Sequence, residues 1–86
     1  MPNVTTDDFA ALVEAGDFER VVVARSHAVW VLMLVASDGQ PLIHANRDGR
    51  HKEYSHAWQA KSWLAERFGM AESEIEVEYR PWQERS

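Results

Sequence analysis

The sequence predicts a two-layer α+β domain: an antiparallel sheet of four or five strands with two helices on one face, in the order α-β-β-β-(β)-α-β. Three observations carry this. Two segments with helical spacing of apolar residues each end at a glycine, Gly16 and Gly69. Between them lie β-rich runs separated by two Asp-Gly turns, Asp38-Gly39 and Asp48-Gly49. After the second helix, residues 74–79 alternate strictly between glutamate and an apolar or aromatic residue. Helices on either side of a block of antiparallel strands bury their apolar stripes on the sheet, which gives two layers.

Thr5 or Thr6 starts the first helix. With Thr5 at the N-cap, Asp8 falls at N3, close to a capping box, and Val4 pairs with Phe9 as a hydrophobic staple. Asp7 and Asp8 suit the positive end of the helix dipole. Phe9, Leu12 and Val13 form the apolar stripe, and Gly16 supplies the left-handed stop. Phe18 to Arg25 is a valine-rich strand. Val29 to Ala36 is apolar on both faces and belongs in the middle of the sheet. Asp38-Gly39 between apolar runs predicts a type I′ hairpin turn. Pro41 opens the next strand, which continues to Asn46, and Arg50 to Tyr54 forms a short polar fourth strand after the second turn. Ser55 caps the second helix, whose buried stripe is Ala57, Ala60, Leu64 and Phe68, with Trp58 and Trp63 flanking it on opposite sides. In the last strand Ile75, Val77 and Tyr79 face the core and Glu74, Glu76 and Glu78 face outward.

At 86 residues the chain is one domain, 1–86, expected to be ordered over about 5–80 with 83–86 frayed. It has no cysteine, which excludes a disulfide scaffold, a thiolate metal site and a cysteine nucleophile. No apolar run approaches the ~18 residues that a membrane span needs. The N-terminus lacks the pattern of a signal peptide, so a cytoplasmic location is expected.

The net charge of −5 is uneven: residues 1–19 carry −5, residues 20–61 carry +3 and residues 62–86 carry −3. All four histidines lie in the basic middle, yet His44, His51 and His56 have no metal-ligand spacing, and no metal or cofactor is expected. Ser26-His27 and Ser55-His56 are sequence neighbours only, there is no glycine-rich phosphate loop, and no catalytic residue is assigned. What remains is a candidate binding surface that joins the second Asp-Gly hairpin to the start of the second helix: Arg47, Arg50, His51, Lys52, His56, Trp58 and Lys61. None of the three hairpin cations is needed for the apolar stripes, and an aromatic beside cationic residues has the composition of an interface hot spot. Trp82, near Arg80 and Arg85, has a similar composition.

Taken in order, Leu12-Val13-Glu14-Ala15-Gly16, the valine strand, Trp30 to Val35, Leu42 to Arg47, Asp48-Gly49-Arg50, Lys52-Glu53-Tyr54, the helix with Ala57, Ala60, Trp63, Leu64 and Phe68, and Ile75-Glu76-Val77 resemble the small ParC-type partition-associated proteins of plasmids and integrative elements. The resemblance spans roughly residues 5–80. It implies a non-enzymatic accessory role in plasmid or mobile-element partition and stability, exercised through contacts with a protein partner. The alternative is a small nucleic-acid-binding module that uses the basic hairpin and helix start at 47–61, a reading the net charge of −5 disfavours. Homo-oligomerisation stays open.

Overall fold

In the computed structural model, which describes residues 2–81 and side chains through Tyr79, the strands are β1 (Asn3–Val4), β2 (Phe18–Ser26), β3 (Val29–Ala36), β4 (Pro41–His44), β5 (Glu53–Tyr54) and β6 (Ile75–Pro81). The helices are α1 (Thr6–Ala15) and α2 (Ala57–Phe68), and a 3-10 turn covers Glu72–Glu74. The sheet runs β1-β4-β3-β2-β6, with β5 paired to β3 in line with β4. The two-layer α+β expectation holds, with β3 central as its double-sided apolar sequence demands.

The sheet is mixed rather than wholly antiparallel. β2, β4 and β5 each pair antiparallel with β3, while β1 joins β4 and β6 joins β2 in parallel. Among the described strands, β3 alone runs against all the others. The reason lies in the two helices. Each returns the chain along the sheet between two strands, β1 to β2 through α1 and β5 to β6 through α2, and a strand entered after such a crossover runs parallel to the strand before it.

Local chemistry sets most element ends where expected. The Thr5 hydroxyl accepts the Asp8 N–H at 3.3 Å, and Gly16 closes α1 at φ 70°. α2 starts one residue later than expected. His56 rather than Ser55 occupies the N-cap, and the His56 N–H donates to the Gln59 side chain at 3.1 Å. The Asp38-Gly39 turn is not type I′, because positive φ occurs only at Gly39 (86°). Instead the Gly39 N–H donates to the Ala36 carbonyl at 2.8 Å and the Ala36 N–H to the Gln40 carbonyl at 2.9 Å, a type I turn closed by a glycine bulge. The 46–50 turn repeats this construction around Gly49, with the corresponding bonds at 3.0 and 2.7 Å. The strand expected over Arg50 to Tyr54 shrinks to Glu53–Tyr54 plus a bridge from His51 to Ala45.

The main core lies between sheet and helices, built on Phe9, Val21, Val23, Leu32, Leu34, Ala60, Leu64 and Ile75. A second buried cluster, Val22, Ala24, Val31, Met33 and Ile43, occupies the helix-free face. Val77 packs at the edge of the main core, but Tyr79 does not join it and is 70% exposed. The cause is a bulge. Ala24 pairs with Glu78 and Arg25 with Pro81, so Tyr79 and Arg80 are extra residues on β6, and the Tyr79 ring rests edge-on against Trp30 at 5.8 Å. The expectations for Trp82 and for 83–86 lie outside the described residues.

Phe9 is fully buried and contacts the rings of His44, Trp63 and Phe68 at 5.1–6.0 Å between centroids. Phe9→Ala is expected to lower the unfolding free energy by about 3–5 kcal/mol in urea titrations. On β6, Val77→Asp should destabilise strongly because it places a charge at the edge of the core. Glu76→Ala should cost less than about 1 kcal/mol, since its pair with Arg20 at 3.3 Å is half exposed. Equal melting of these two variants would show that the faces of β6 are reversed.

Candidate functional site

The two tryptophans of α2 separate as the helical wheel requires. Trp63 turns toward α1 and stacks on His44 at 5.1 Å. Trp58 turns the other way, is 63% exposed and stacks on the His56 ring at 6.3 Å with an interplanar angle of 13°. It borders a groove of about 250 Å³ between α2 and β6, lined with Lys61, Ser62, Ala65, Met70, Glu72 and Ile75. Trp58, Ser62 and Ala65 are spaced i, i+4, i+7 on one flank of α2. The two small residues leave a notch beside the indole, and the buried side chains of Met70 and Ile75 contribute to its apolar floor. Lys61 closes the rim through an ion pair with Glu72 at 3.1 Å.

The hairpin residues form a different surface. Arg47 pairs with Asp7 at 3.6 Å and Arg50 with Asp48 at 3.7 Å, both in full solvent view. The His51 Nε2 shares a hydrogen bond with the Asn3 side chain at 3.0 Å, and the Lys52 N–H donates to the His44 carbonyl at 3.0 Å. Arg50, His51 and Lys52 line one shallow concavity at the hairpin, and Arg47 and Lys52 line another beside Thr6 and Asp7. The seven candidate residues thus fall into two groups. Arg47, Arg50, His51 and Lys52 gather at the β1–β4 end, against Asn3, Asp7 and the His44 backbone. His56, Trp58 and Lys61 gather on the flank of α2 that faces β6. The two hairpin arginines each lie beside an acid, which lowers the positive potential of that end.

The sequence singled out Trp58 but not the groove beside it, because the floor comes from Met70 and Ile75, which become neighbours of α2 only after the chain turns at Gly69. The small residues at 62 and 65 were the available signal.

His44 has a structural place. It is fully buried on β4, shares a hydrogen bond with the Thr6 hydroxyl at 2.7 Å through Nε2, and is packed between the Phe9 and Trp63 rings. Its Nδ1 has no hydrogen-bond partner among the described residues. Burial, with a smaller contribution from the Lys52 charge, pulls its pKa from 6.5 down to about 4. Among the described residues, no helix is long and apolar enough to cross a membrane. Comparisons with protein-family models, with curated proteins and with solved structures find no match to this chain.

The neutral, buried His44 makes stability depend on pH. The folded protein keeps it unprotonated down to about pH 4, whereas the unfolded chain protonates it near 6.5. Between those values the unfolded state binds more protons, so its contribution is complete above pH 6.5 and is lost as pH falls toward 4. Urea unfolding at pH 7.5 and pH 5.0 should differ by about 2 kcal/mol from this residue. His44→Leu should remove most of that difference, and an unchanged slope in the variant would assign the acid sensitivity elsewhere.

Proposed function

We propose that the protein is a non-enzymatic interaction module that docks a protein partner on the surface between α2 and β6, with Trp58 as the anchor. The observation that carries this reading is the exposure of Trp58, at 63%, beside a groove floored by Met70 and Ile75. A large aromatic left in water at the border of an apolar notch is the composition of a hot spot, where truncation costs about 2 kcal/mol or more of binding. The pairing of Arg47 with Asp7 and of Arg50 with Asp48 also favours a protein over a polyphosphate. A setting in plasmid or mobile-element partition enters this proposal through the sequence resemblance alone. A partition operon flanking the gene would support it, and a neighbourhood without one would count against it.

A photoreactive amino acid placed at position 58, and separately at position 47, tests the docking site in cells. Protein adducts are expected from position 58. With the partner so identified, Trp58→Ala should weaken binding about 30-fold while the melting temperature stays unchanged. Adducts from position 47 alone would overturn the proposal, as would salt-sensitive retention on DNA that Arg47→Ala and Arg50→Ala abolish.

A further inference from the structure

β1 and α1 meet the rest of the molecule around one side chain, His44. Among the described strands β1 pairs only with β4. The Ile43 N–H donates to the Pro2 carbonyl at 3.0 Å and the Ala45 N–H to the Val4 carbonyl at 2.9 Å. Of α1, Phe9 and Ala10 are buried, and the helix reaches β2 through Gly16 and Asp17, both exposed. Further ties lie at the surface: Asn3 bonds the Gly49 carbonyl and His51 Nε2, and Asp7 pairs with Arg47. His44 stands where the buried contacts converge. Val4 lies opposite it in the β1–β4 ladder, the Thr6 hydroxyl shares a hydrogen bond with Nε2, and the Phe9 ring packs against it.

The charges around this ring oppose a proton on it. Lys52 disfavours the charged form directly. Asp7 and Arg47 border the concavity beside Thr6 and Ala45 together with Lys52, so one carboxylate there is set among two cations. From α2 the ring meets Trp63, which is neutral, and the α2 cation Arg67 lies over the Phe68 ring at 5.8 Å. On the helix face of β3, Leu32 and Leu34 are apolar. A protonated imidazole donates from both nitrogens. Nε2 has the Thr6 oxygen, whereas Nδ1 has no hydrogen-bond partner among the described residues. A buried charge with an unanswered N–H is relieved by reaching water. α2 is fixed at both ends, by β5 on β3 and by β6 on β2. β1 is held by two residues of ladder, so the side that gives way is the one made of β1 and α1.

We propose that β1 and α1 form a releasable arm latched by the neutral ring of His44, and that acid frees this arm while α2 and the rest of the sheet stay folded. Release uncovers the backbone edge at residues 43–45 and the sides of Trp63 and Phe68 that Phe9 covers. It is independent of the Trp58 surface, which lies on the other flank of α2. Acid lowers the stability of any state that seats His44, and the arm is the part in which that loss is felt first. The open form binds the proton more tightly, so release grows as pH falls from 6.5 toward about 4.

Native-state hydrogen exchange of the full chain, followed by NMR at pH 7.5 and 5.0 and at several low urea concentrations, reads this directly. The reporters are the amides of Ile43 and Ala45 and those of residues 10–13 in α1, and the references are the amides of the β2–β3 ladder. Reporter protection should fall about 30-fold between the two pH values. It should hardly vary with urea, because a local opening exposes little surface. The references should stay about tenfold or more better protected and should fall steeply with urea at both pH values. His44→Gln, which cannot take the charge, should abolish the pH response. Should that variant not fold, Lys52→Gln, at an exposed position, should make the response smaller, because the Lys52 charge helps to keep the ring neutral. His51→Gln, which changes the other histidine on the arm, should leave the response in place. Reporters that share the urea slope of the β2–β3 ladder would overturn the proposal, as would protection that does not change with pH. A response that persists in His44→Gln, is unchanged in Lys52→Gln or disappears in His51→Gln would overturn it as well.

Discussion

The fold depends on β3 being buried on both faces and paired on both edges. Residues 31–35 are buried without exception. A strand with that pattern has one stable place, the middle of a sheet whose faces are both apolar. β2 and β4 satisfy its two edges through tight hairpins, and β5 completes the second edge where β4 ends. Once β3 is placed, the directions of its neighbours follow from the hairpins and those of β1 and β6 from the helices. The helices lie over Leu32 and Leu34, and the helix-free face relies on Val22, Ala24, Val31, Met33 and Ile43 packing against one another.

On the helix side, α1 is too short to persist alone, and its packing centres on Phe9. Phe9 meets His44 below it and Trp63 and Phe68 from α2, so a ring cluster ties both helices to β4. Placing a histidine there keeps a polar ring in an apolar site, satisfied at Nε2 by Thr6 from the first turn of α1. The same bond links the start of α1 to the strand beside β1, whose Val4 lies opposite His44. The register of β1 and the seating of α1 are therefore one arrangement rather than two.

What was legible in the sequence was what local chemistry decides. Thr5, Gly16 and Gly69 act within one turn of the backbone, and the wheel of α2 separates Trp58 from Trp63 without reference to the sheet. Strand direction was not legible in this way, because alternation reads the same in a parallel and an antiparallel strand. β1 was missed since two residues carry no period, and its existence depends on the open edge of β4. Tyr79 continued the alternation in sequence, but a bulge opposite Ala24 and Arg25 removes it from the core. The candidate surface divided for a related reason. Residues 47 to 61 are close along the chain, yet the 46–50 turn bonds back to Asn3 of β1 while α2 carries Trp58 and Lys61 to the side of Met70 and Ile75. Their proximity in sequence therefore did not become proximity in space.

The two sheet edges are unlike, in length and in what interrupts them. β1 presents two residues, too few to template a partner strand. β6 presents seven. A long edge is ordinarily protected by a bulge, by proline or by charge, and β6 combines them: residues 79 and 80 are extra opposite Ala24 and Arg25, Pro81 ends the strand, and Glu76 and Glu78 add charge. Charge differs from the other two devices in what it excludes. A bulged or proline-broken stretch of edge refuses every strand, whereas a row of carboxylates disfavours strands that carry the same sign at the same spacing. A second copy of β6 is such a strand. Specificity is a difference between affinities, and like charges set opposite one another are a repulsive element against that self-pairing. Over the regular residues 75–78 the acidic alternation therefore opposes self-pairing by charge, and beyond them the bulge and Pro81 end the edge.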